Sequence, residues 1–218
     1  MSSLGIVISG IAHEIRNPLQ VVMAMSESIA EDDDLERMRS DAKEIIDASK
    51  RMATIVSDLS GHARDARTLG DSTIYLNEVA DKSLALSKHT RNLNKVKIVR
   101  QYEGKPTTIG STSEITQIIT NFINNGVDAM ESVGTITVAT GVDNGTCYIS
   151  VTDTGTGMNE ETQKKIFDPF FTTKEAGKGT GLGLHVVNKI VTKHKAELHL
   201  DSALGKGSTF KVVFPKKP

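Results

Sequence analysis

The first sixty residues carry apolar side chains at alternating steps of three and four positions, the pattern of amphipathic helices. The first stripe comprises Leu4, Ile8, Ile11, Ile15, Pro18, Val22, Met25 and Ile29, and the second comprises Leu35, Met38, Ala42, Ile45, Ser49, Met52, Val56 and Leu59, widened by Ile46 and Ile55. The acidic run Glu31 to Asp34 separates them and predicts a turn with an N-cap for the second helix. Because the connection is short, the helices should be antiparallel. Two helices cannot bury both stripes, so we expect a homodimer that closes a four-helix bundle.

The stretch GIAHEIRNPL, from Gly10 to Leu19, places a histidine within the first helical pattern. The residues two positions before and after His13 belong to the apolar stripe, so His13 falls on the opposite side and should face solvent. This excludes a core histidine and leaves a surface histidine that is either idle or reactive. Asn17 follows one turn later on the same face. Pro18 lacks the N–H that would bond the carbonyl of Glu14, so the helix should bend there.

The pattern changes after residues 64–71, which lose the helical spacing and contain Gly70. We interpret this segment as a linker between a helical domain at 1–66 and a second domain at 67–218. Strands are predicted at 74–76, 97–102, 135–140, 147–152, 198–201 and 209–214, with a turn at 143–145, and helices at 77–91, 114–131 and 182–194. Helices and antiparallel strands in one unit predict an α+β sandwich.

The composition is that of a globular protein, with 38% hydrophobic and 24% charged residues among 218. The formal net charge of -1 gives no general basic field that would attract nucleic acid or an acidic membrane. The single cysteine, Cys147, excludes an internal disulfide and a multi-cysteine metal site, which suits a reducing cytoplasm. We find no apolar run long enough to cross a bilayer and no signal peptide, so we expect no membrane contact from this chain. A sensory or membrane part would lie elsewhere.

Two polar motifs in the second half suit a ligand site. In NFINNGVDAM, the amides of Asn121 and Asn125 share one helix face and could reach phosphate oxygens or hydrated Mg2+, although capping or surface asparagines are common. In DTGTGM, Asp153 ends a strand and Gly155 and Gly157 follow. The glycines permit a tight turn and close ligand approach. The carboxylate could accept from an exocyclic amine such as that of adenine, although an ordinary turn would look similar.

Two further motifs are loops. FDPFFTTK, residues 167–174, combines aromatic residues, two threonines and a lysine, and could equally be a loop anchored to the core. GKGTGLGL, residues 177–184, runs directly into a helix, so backbone N–H groups and the helix N-terminus form a potential anion site. Its spacing differs from both the Walker A motif and the Rossmann fingerprint. Alone it is moderate evidence for phosphate.

The order and spacing of these motifs resemble the sensor histidine kinases and the GHKL superfamily of ATP-binding domains. GIAHEIRNPL is similar to the phosphoacceptor box, NFINNGVDAM to the asparagine box, DTGTGM and GTGLGL to the two glycine boxes, and FDPFF to the phenylalanine box. GKGSTF is similar to the last glycine-containing strand. The resemblance extends from Leu4 to Pro215 and implies a dimeric bundle followed by a GHKL α/β sandwich.

The resemblance also implies roles for individual residues. His13 would accept the γ-phosphoryl group of ATP, and Glu14 would orient the ring or take its proton. Asn125 would bind Mg2+ and Asp153 would contact adenine. The other cofactor-binding residues implied are Asn121, Asp128, Gly155, Gly157, Thr172, Thr173, Lys174, Gly179, Thr180, Gly181, Leu182, Gly183 and Thr209. Residues 172–174 would belong to a mobile lid, the glycines from 179 to 183 would surround the triphosphate, and Thr209 would support the adenine contact.

A second acceptor is implied as well, because histidine kinases pass the phosphoryl group to an aspartate of a response regulator receiver domain. The regulator would dock below His13, near Gln20, Met23 and Ala24. Glu14 to Asn17 resembles the signature of bifunctional kinases, in which Asn17 would position water for phosphatase activity towards the regulator.

The sequence departs from the family at three places. Gly126 replaces a usual alanine, which predicts an asparagine helix less stable by up to about 1 kcal/mol. Ser111 replaces a common aspartate, and Lys195-Ala196 replaces a frequent glycine. Two rival functions stay open, a GHKL ATPase without phosphotransfer and an ATP-gated dimer scaffold. The ATPases carry a glutamate where Asn121 stands, which favours transfer to protein over hydrolysis. A serine kinase of the anti-sigma type would not need the His13 helix.

Overall fold

The computed structural model describes residues 3–60, 73–91, 93–131, 133–175 and 179–215. The chain divides into two compact units, one of residues 1–67 with 169–182 and one of 68–168 with 183–218. The predicted linker, residues 64–71, lies outside the described residues. The predicted boundary between residues 66 and 67 therefore stays a prediction.

Two long helices form the first unit's hairpin, α1 (Ser3–Glu31) and α2 (Leu35–Ser60), which pack against each other. The Asp34 carboxylate accepts a hydrogen bond from the Glu36 N–H at 2.9 Å, which confirms the predicted N-cap. Pro18 lies inside α1 and is buried. On α2 the most buried side chains are Ala48 and Ile55, each one residue before a predicted stripe position. Those positions, 49 and 56, are exposed in the single chain.

The second unit contains a five-stranded sheet in the order β2-β4-β5-β7-β6. Its strands are β2 (Val96–Tyr102), β4 (Gly134–Asp143), β5 (Thr146–Asp153), β6 (Glu197–Ala203) and β7 (Gly207–Phe214). β2 pairs parallel with β4, and the other neighbours are antiparallel. A separate two-stranded sheet joins β1 (Thr73–Tyr75) and β3 (Thr107–Ile109). The β4–β5 turn has positive φ at Asn144 (49°) and Gly145 (79°), the conformation of a type I′ hairpin.

Helices α3 (Leu76–Thr90), α4 (Thr112–Ala129) and α6 (Gly183–Lys193) cover the sheet, and α5 (Glu160–Lys165) follows β5. α4 contacts β4, β5 and β7, and it also packs against α3 and α6. Phe122 of α4 stacks on Phe210 of β7 with ring centroids 4.7 Å apart. Buried Ile and Val side chains fill the rest of this layer, so the core lies between α4 and the sheet.

The structure confirms the predicted class, a helical hairpin followed by an α/β sheet domain, and every predicted element is present within about three residues. β3 and α5 were not predicted. Of the three departures from the family pattern, two lie at helix ends. Ser111 caps α4 by accepting from the Glu114 N–H at 3.4 Å. Lys195 adopts φ 51°, a left-handed conformation that glycine would adopt without strain.

Candidate nucleotide-binding site

Asp153 ends β5 with its side chain buried beneath α4. Its Oδ1 accepts hydrogen bonds from the Gly155 N–H at 2.8 Å and the Ser208 N–H at 3.3 Å. Burial raises the pKa of the Asp153 carboxyl, and the two backbone donors counteract part of that rise. The two bonds through Oδ1 orient the carboxyl group, so a buried acceptor is held in one position.

Ser208, rather than the predicted Thr209, is the β7 residue beside Asp153. Asp153 pairs with Ser208 in the antiparallel register, whereas Thr209 pairs with Thr152. The Thr209 and Thr152 hydroxyls lie 2.9 Å apart. Successive strand residues point to opposite faces, so Thr209 points away from the face that Asp153 occupies. Alternation along β7 could have identified Ser208 from the sequence.

The glycine loop after β5 packs tightly against its neighbours. A Cβ on Gly155 would lie 2.8 Å from the Cβ of Ala129 at the end of α4. Gly157 has φ 64°, a conformation that favours glycine. The Thr156 N–H donates to the Ala129 carbonyl at 3.2 Å, which joins the loop to α4. The structure thus gives both predicted glycines a geometric reason.

The end of strand β6 holds the other side of this loop through Ser202. The Ser202 hydroxyl accepts from the Met158 N–H at 2.9 Å and donates to the Gly207 carbonyl at 3.0 Å. The Gln163 amide donates to the carbonyls of Met158 and Ser202 at 3.0 and 2.8 Å. The sequence did not predict this network, because its members come from α5, β6, β7 and the loop after β5.

Helix α4 carries both predicted asparagines. The Asn121 amide nitrogen makes a long contact of 3.5 Å with the Gly183 carbonyl at the start of α6. Asn125 is half-buried one turn further on. Asp128, also predicted to contact the nucleotide, forms an ion pair with Arg91, whose Nε lies 2.9 Å from Oδ1. The structure therefore brings Asn121 and Gly183 together and pairs Asp128 with a cation.

α4 also approaches Asp153 very closely at Gly126. A Cβ built on Gly126 would lie 2.9 Å from the Asp153 Cβ and 2.7 Å from the Ile136 Cδ1. Cβ atoms essentially never approach other heavy atoms within 3.0 Å. The departure from the usual alanine therefore matches the space available above the carboxylate.

The N-terminus of α4 is tied to the C-terminus of α6. Buried Glu114 pairs with Lys193 at 2.6 Å, and its other oxygen lies 3.6 Å from His194 Nε2. The His194 Nε2 accepts from the Ser111 N–H at 3.2 Å, and Nδ1 lies 2.9 Å from the Ile190 carbonyl. These contacts describe a neutral ring with its proton on Nδ1, because a carbonyl can only accept.

Comparison with known families decides the identity. A family model described as "Histidine kinase-, DNA gyrase B-, and HSP90-like ATPase" matches residues 110–218, half of the chain. The chain belongs to this family of ATPases. A second model, the His Kinase A (phospho-acceptor) domain, matches residues 3–65. The two together identify a histidine kinase core of the two-component type, with a GHKL domain that binds ATP.

Curated relatives of the kinase core agree with this assignment. Sporulation kinase C of Bacillus subtilis is 34% identical over 96% of this chain and 48% of its own length. The sensor histidine kinase ZraS of Escherichia coli K12 is 31% identical over 98% of this chain and 46% of its own length. The chain thus spans about half the length of these two relatives, and only 35% of Sporulation kinase A.

Solved histidine kinases share the fold. Histidine kinase ThkA, in complex with the response regulator protein TrrA, aligns with a TM-score of 0.78 and 26% identity, over 99% of this chain and 62% of that chain. The Acinetobacter baumannii histidine kinase AdeS aligns with a TM-score of 0.72 over 94% of this chain and 98% of that one, at 19% identity. The second comparison supports the fold alone.

The predicted lid residues, 172–174, lie in the segment 169–182, which belongs to the same compact unit as the hairpin. The Phe170 N–H donates to the Gly181 carbonyl at 3.1 Å, which joins the two ends of the segment. Within it the Lys174 N–H donates to Thr172 Oγ1 at 3.1 Å, and the Leu182 N–H donates to Thr180 Oγ1 at 3.3 Å. Residues 176–178 lie outside the described residues. The phosphate contacts predicted for this segment stay predictions.

The predicted phosphoacceptor, His13, lies on α1, but its side chain and that of Glu14 are outside the described residues. The predicted exposure of His13 therefore stays a prediction. Asn17, one turn later, is exposed. Within the described part of the chain, no helix has the length and hydropathy to cross a membrane. The described residues also contain no cluster of three or more His, Cys, Asp or Glu side chains that could hold a metal.

Proposed function

We propose that the kinase binds Mg-ATP in its second domain and phosphorylates its own His13, which then passes the phosphoryl group to an aspartate of a response regulator. The observation that carries the proposal is the site around Asp153, in which a buried carboxylate held by two backbone donors lies between a tight glycine loop and helix α4. It occurs in one chain with a phosphoacceptor domain. The proposed reaction forms an N–P bond at the imidazole while the bond from the γ-phosphorus to the bridging oxygen breaks and ADP leaves.

Asp153 would bind the adenine base. Oδ1 is occupied by two backbone donors, so Oδ2 is the oxygen that would accept from the exocyclic amine. Only the ionised carboxylate is free of a competing proton. Since burial raises the pKa of Asp153, we expect ATP affinity to fall on acidification at a higher pH than for an exposed aspartate.

Asn125, assisted by Asn121, would hold Mg2+ and the phosphates. An amide oxygen is a hard ligand of the kind that Mg2+ accepts beside phosphate oxygens, so the donor chemistry fits. Mg2+ would neutralise charge on the transferring phosphoryl group. The α4 face places the two amides one turn apart, which suits two neighbouring phosphate oxygens.

His13 would act as a neutral imidazole, which carries a free lone pair near pH 7 because its unperturbed pKa is about 6.5. Glu14, its neighbour in sequence, would orient the ring or take the proton that the ring loses on phosphorylation. Asn17 is exposed, and we propose that it positions water to hydrolyse the regulator's phosphoaspartate. This would add phosphatase activity to the kinase activity.

The helical hairpin would provide the dimer and regulator interfaces. Large apolar side chains stay exposed on the single hairpin, among them Leu19 and Met23 on α1 and Leu35, Ile46 and Val56 on α2. Exposed apolar surface of this kind favours a partner. We propose a homodimeric bundle with the receiver domain of the regulator docking near Met23, consistent with the ThkA–TrrA complex among the structural neighbours.

The experiment that tests the proposal compares the wild-type chain with His13→Ala and Asn125→Ala after incubation with γ-labelled ATP and Mg2+. We expect protein-bound label that is stable in base and labile in acid, and absent from both variants. His89, an exposed histidine of α3, supplies the matched control, and His89→Ala should keep the label. Phosphate release without bound label would instead support a GHKL ATPase, and ATP binding with neither would support a scaffold.

A further inference from the structure

The Asp128 carboxylate is held through both oxygens by the Arg91 guanidinium. Arg91 Nε lies 2.9 Å from Oδ1, and Arg91 Nη2 donates to Oδ2 at 3.1 Å. The Nη2 contact is a charge-assisted hydrogen bond, whereas the Nε contact is a close ion-pair approach without hydrogen-bond geometry. The Asp128 side chain is 25% exposed and that of Arg91 38%, so water screens the pair only in part. The pair therefore combines one charge-assisted hydrogen bond, a second close approach of the charges and partial shielding from water.

Asp128 lies on the part of α4 that would face the phosphates. It follows Asn125 by three residues, which places it about 60° around the helix and about 4.5 Å further along its axis. It follows Asn121 by seven residues, and such positions nearly coincide in projection. Three polar side chains therefore share one face, and only Asp128 carries a charge of the same sign as a triphosphate.

We propose that Arg91 is a positioning residue that neutralises Asp128 and thereby lets the α4 face accept the negatively charged phosphates. The inference rests on the proposed nucleotide binding. Without Arg91, the Asp128 carboxylate beside Asn125 would repel the triphosphate. Salt would screen this repulsion little, because the carboxylate would lie closer to the phosphates than the screening length of physiological salt. Arg91 acts through Asp128, and it follows the end of α3, so the charge balance of the site is set by a second helix.

A purely structural pair would have a different signature. If Arg91 only tied α3 to α4, its loss would weaken every ligand that needs α4 in place, charged or not. If it neutralises Asp128, its loss would weaken ligands in proportion to their charge. Removing both charges would then restore binding, because no uncompensated carboxylate is left.

The test measures binding of labelled ATP, ADP and adenosine by equilibrium dialysis, to the wild-type chain, Arg91→Gln, Asp128→Asn and the double variant. We expect Arg91→Gln to lose roughly tenfold in ATP affinity, less for ADP and almost nothing for adenosine. The double variant should return to within about twofold of wild type. The matched control is Arg100→Gln, which removes a guanidinium from a pair with the same 2.9 Å contact, to Asp81 of α3 rather than to α4. It should bind all three ligands like wild type.

The outcomes separate the inference from the proposed function. If the wild-type chain binds ATP and Arg91→Gln binds it equally well, or loses adenosine and ATP to the same extent, the inference is wrong and the proposed function stands. If the wild-type chain binds no ATP, the proposed function fails and the inference fails with it. Thermal unfolding of all variants identifies any loss that reflects unfolding alone.

Discussion

Replacing Gly126 by alanine would set two physical effects against each other on α4. Alanine is favoured over glycine in a helix interior by about 1 kcal/mol, so propensity alone predicts a more stable protein. The close approach to the sheet predicts the opposite, because the new Cβ would lie 2.7 Å from Ile136 Cδ1 and 2.9 Å from Asp153 Cβ. Carbon atoms pack comfortably at about 3.5–4.0 Å, so each contact is too short by roughly 0.6–0.8 Å or more.

The contacts should outweigh propensity. Adding a methyl group to a packed core typically costs about 1–3 kcal/mol, which leaves Gly126→Ala between unchanged and about 2 kcal/mol less stable. The Ile136 contact involves the end of a flexible side chain, whereas the Asp153 contact involves a Cβ next to its backbone. The change in the free energy of unfolding should therefore depend mainly on how far the Ile136 side chain can move aside. The change in nucleotide binding should depend on how far Asp153 is displaced.

The assay compares four proteins, the wild type, Gly126→Ala, Ile136→Val and the double variant, by chemical denaturation and by ATP dialysis. Ile136→Val alone should lower the free energy of unfolding by about 0.5–1.5 kcal/mol. It also removes the Cδ1 atom that would lie 2.7 Å from the new Cβ. The double variant should therefore lose less stability than the sum of the two single losses. ATP affinity should fall in both variants that carry the Gly126→Ala substitution. The reasoning would be refuted if Gly126→Ala raised the free energy of unfolding by about 1 kcal/mol and left ATP affinity unchanged. The backbone would then have shifted enough to accommodate the methyl group without cost.

Three more substitutions test the site. Because the pKa of Asp153 is raised by burial, its contribution to stability is present in acid and is lost as the pH rises through that pKa. At pH 7, Asp153→Asn should therefore unfold at a higher denaturant concentration than wild type, whereas in acid this difference should disappear. The variant should bind ATP far more weakly. A lower unfolding midpoint than wild type at pH 7 would contradict the reasoning. Ser202→Ala should lower the free energy of unfolding by about 1–3 kcal/mol and should weaken ATP binding, because the Met158 N–H and the Gly207 carbonyl lose the Ser202 hydroxyl. Unchanged ATP binding would show that the glycine loop is held without Ser202. His194→Phe should lose a similar amount, because the Ser111 N–H loses its partner, while the Ile190 carbonyl keeps only the backbone N–H of residue 194. A stability equal to wild type in thermal unfolding would refute the assigned hydrogen bonds.

The long elements were predictable because their periodic apolar faces are strong signals. The elements that the sequence did not reveal have no such signal. β3 spans three residues, Thr107–Ile109, and α5 spans six residues with no buried side chain. Pairing with β1 defines β3, and that partner lies more than thirty residues earlier. Tertiary context therefore decided both elements.

The candidate site was predictable in its motifs but not in its contacts. Asp153 and its two glycines were identified from residue types and order, and the structure places them together. The choice of Thr209 over Ser208 failed because motif likeness does not specify which side of a strand a residue occupies. The Arg91–Asp128 pair joins residues 37 positions apart, and nothing in local sequence predicts such a contact.

In the proposed site, helix α4 would set the spacing between the base and the phosphates. Gly126 closely approaches Asp153, the proposed contact to the base, while the residue before it, Asn125, projects about 100° away on the side proposed for the phosphates. A helix transmits a shift at one residue to its neighbours, because their hydrogen bonds fix the relative positions of successive residues. Any change that lifts α4 from Asp153 must therefore also move Asn125. Loss of adenine recognition and loss of phosphate alignment should consequently occur together in variants of this contact, whereas a substitution in the glycine loop can separate them.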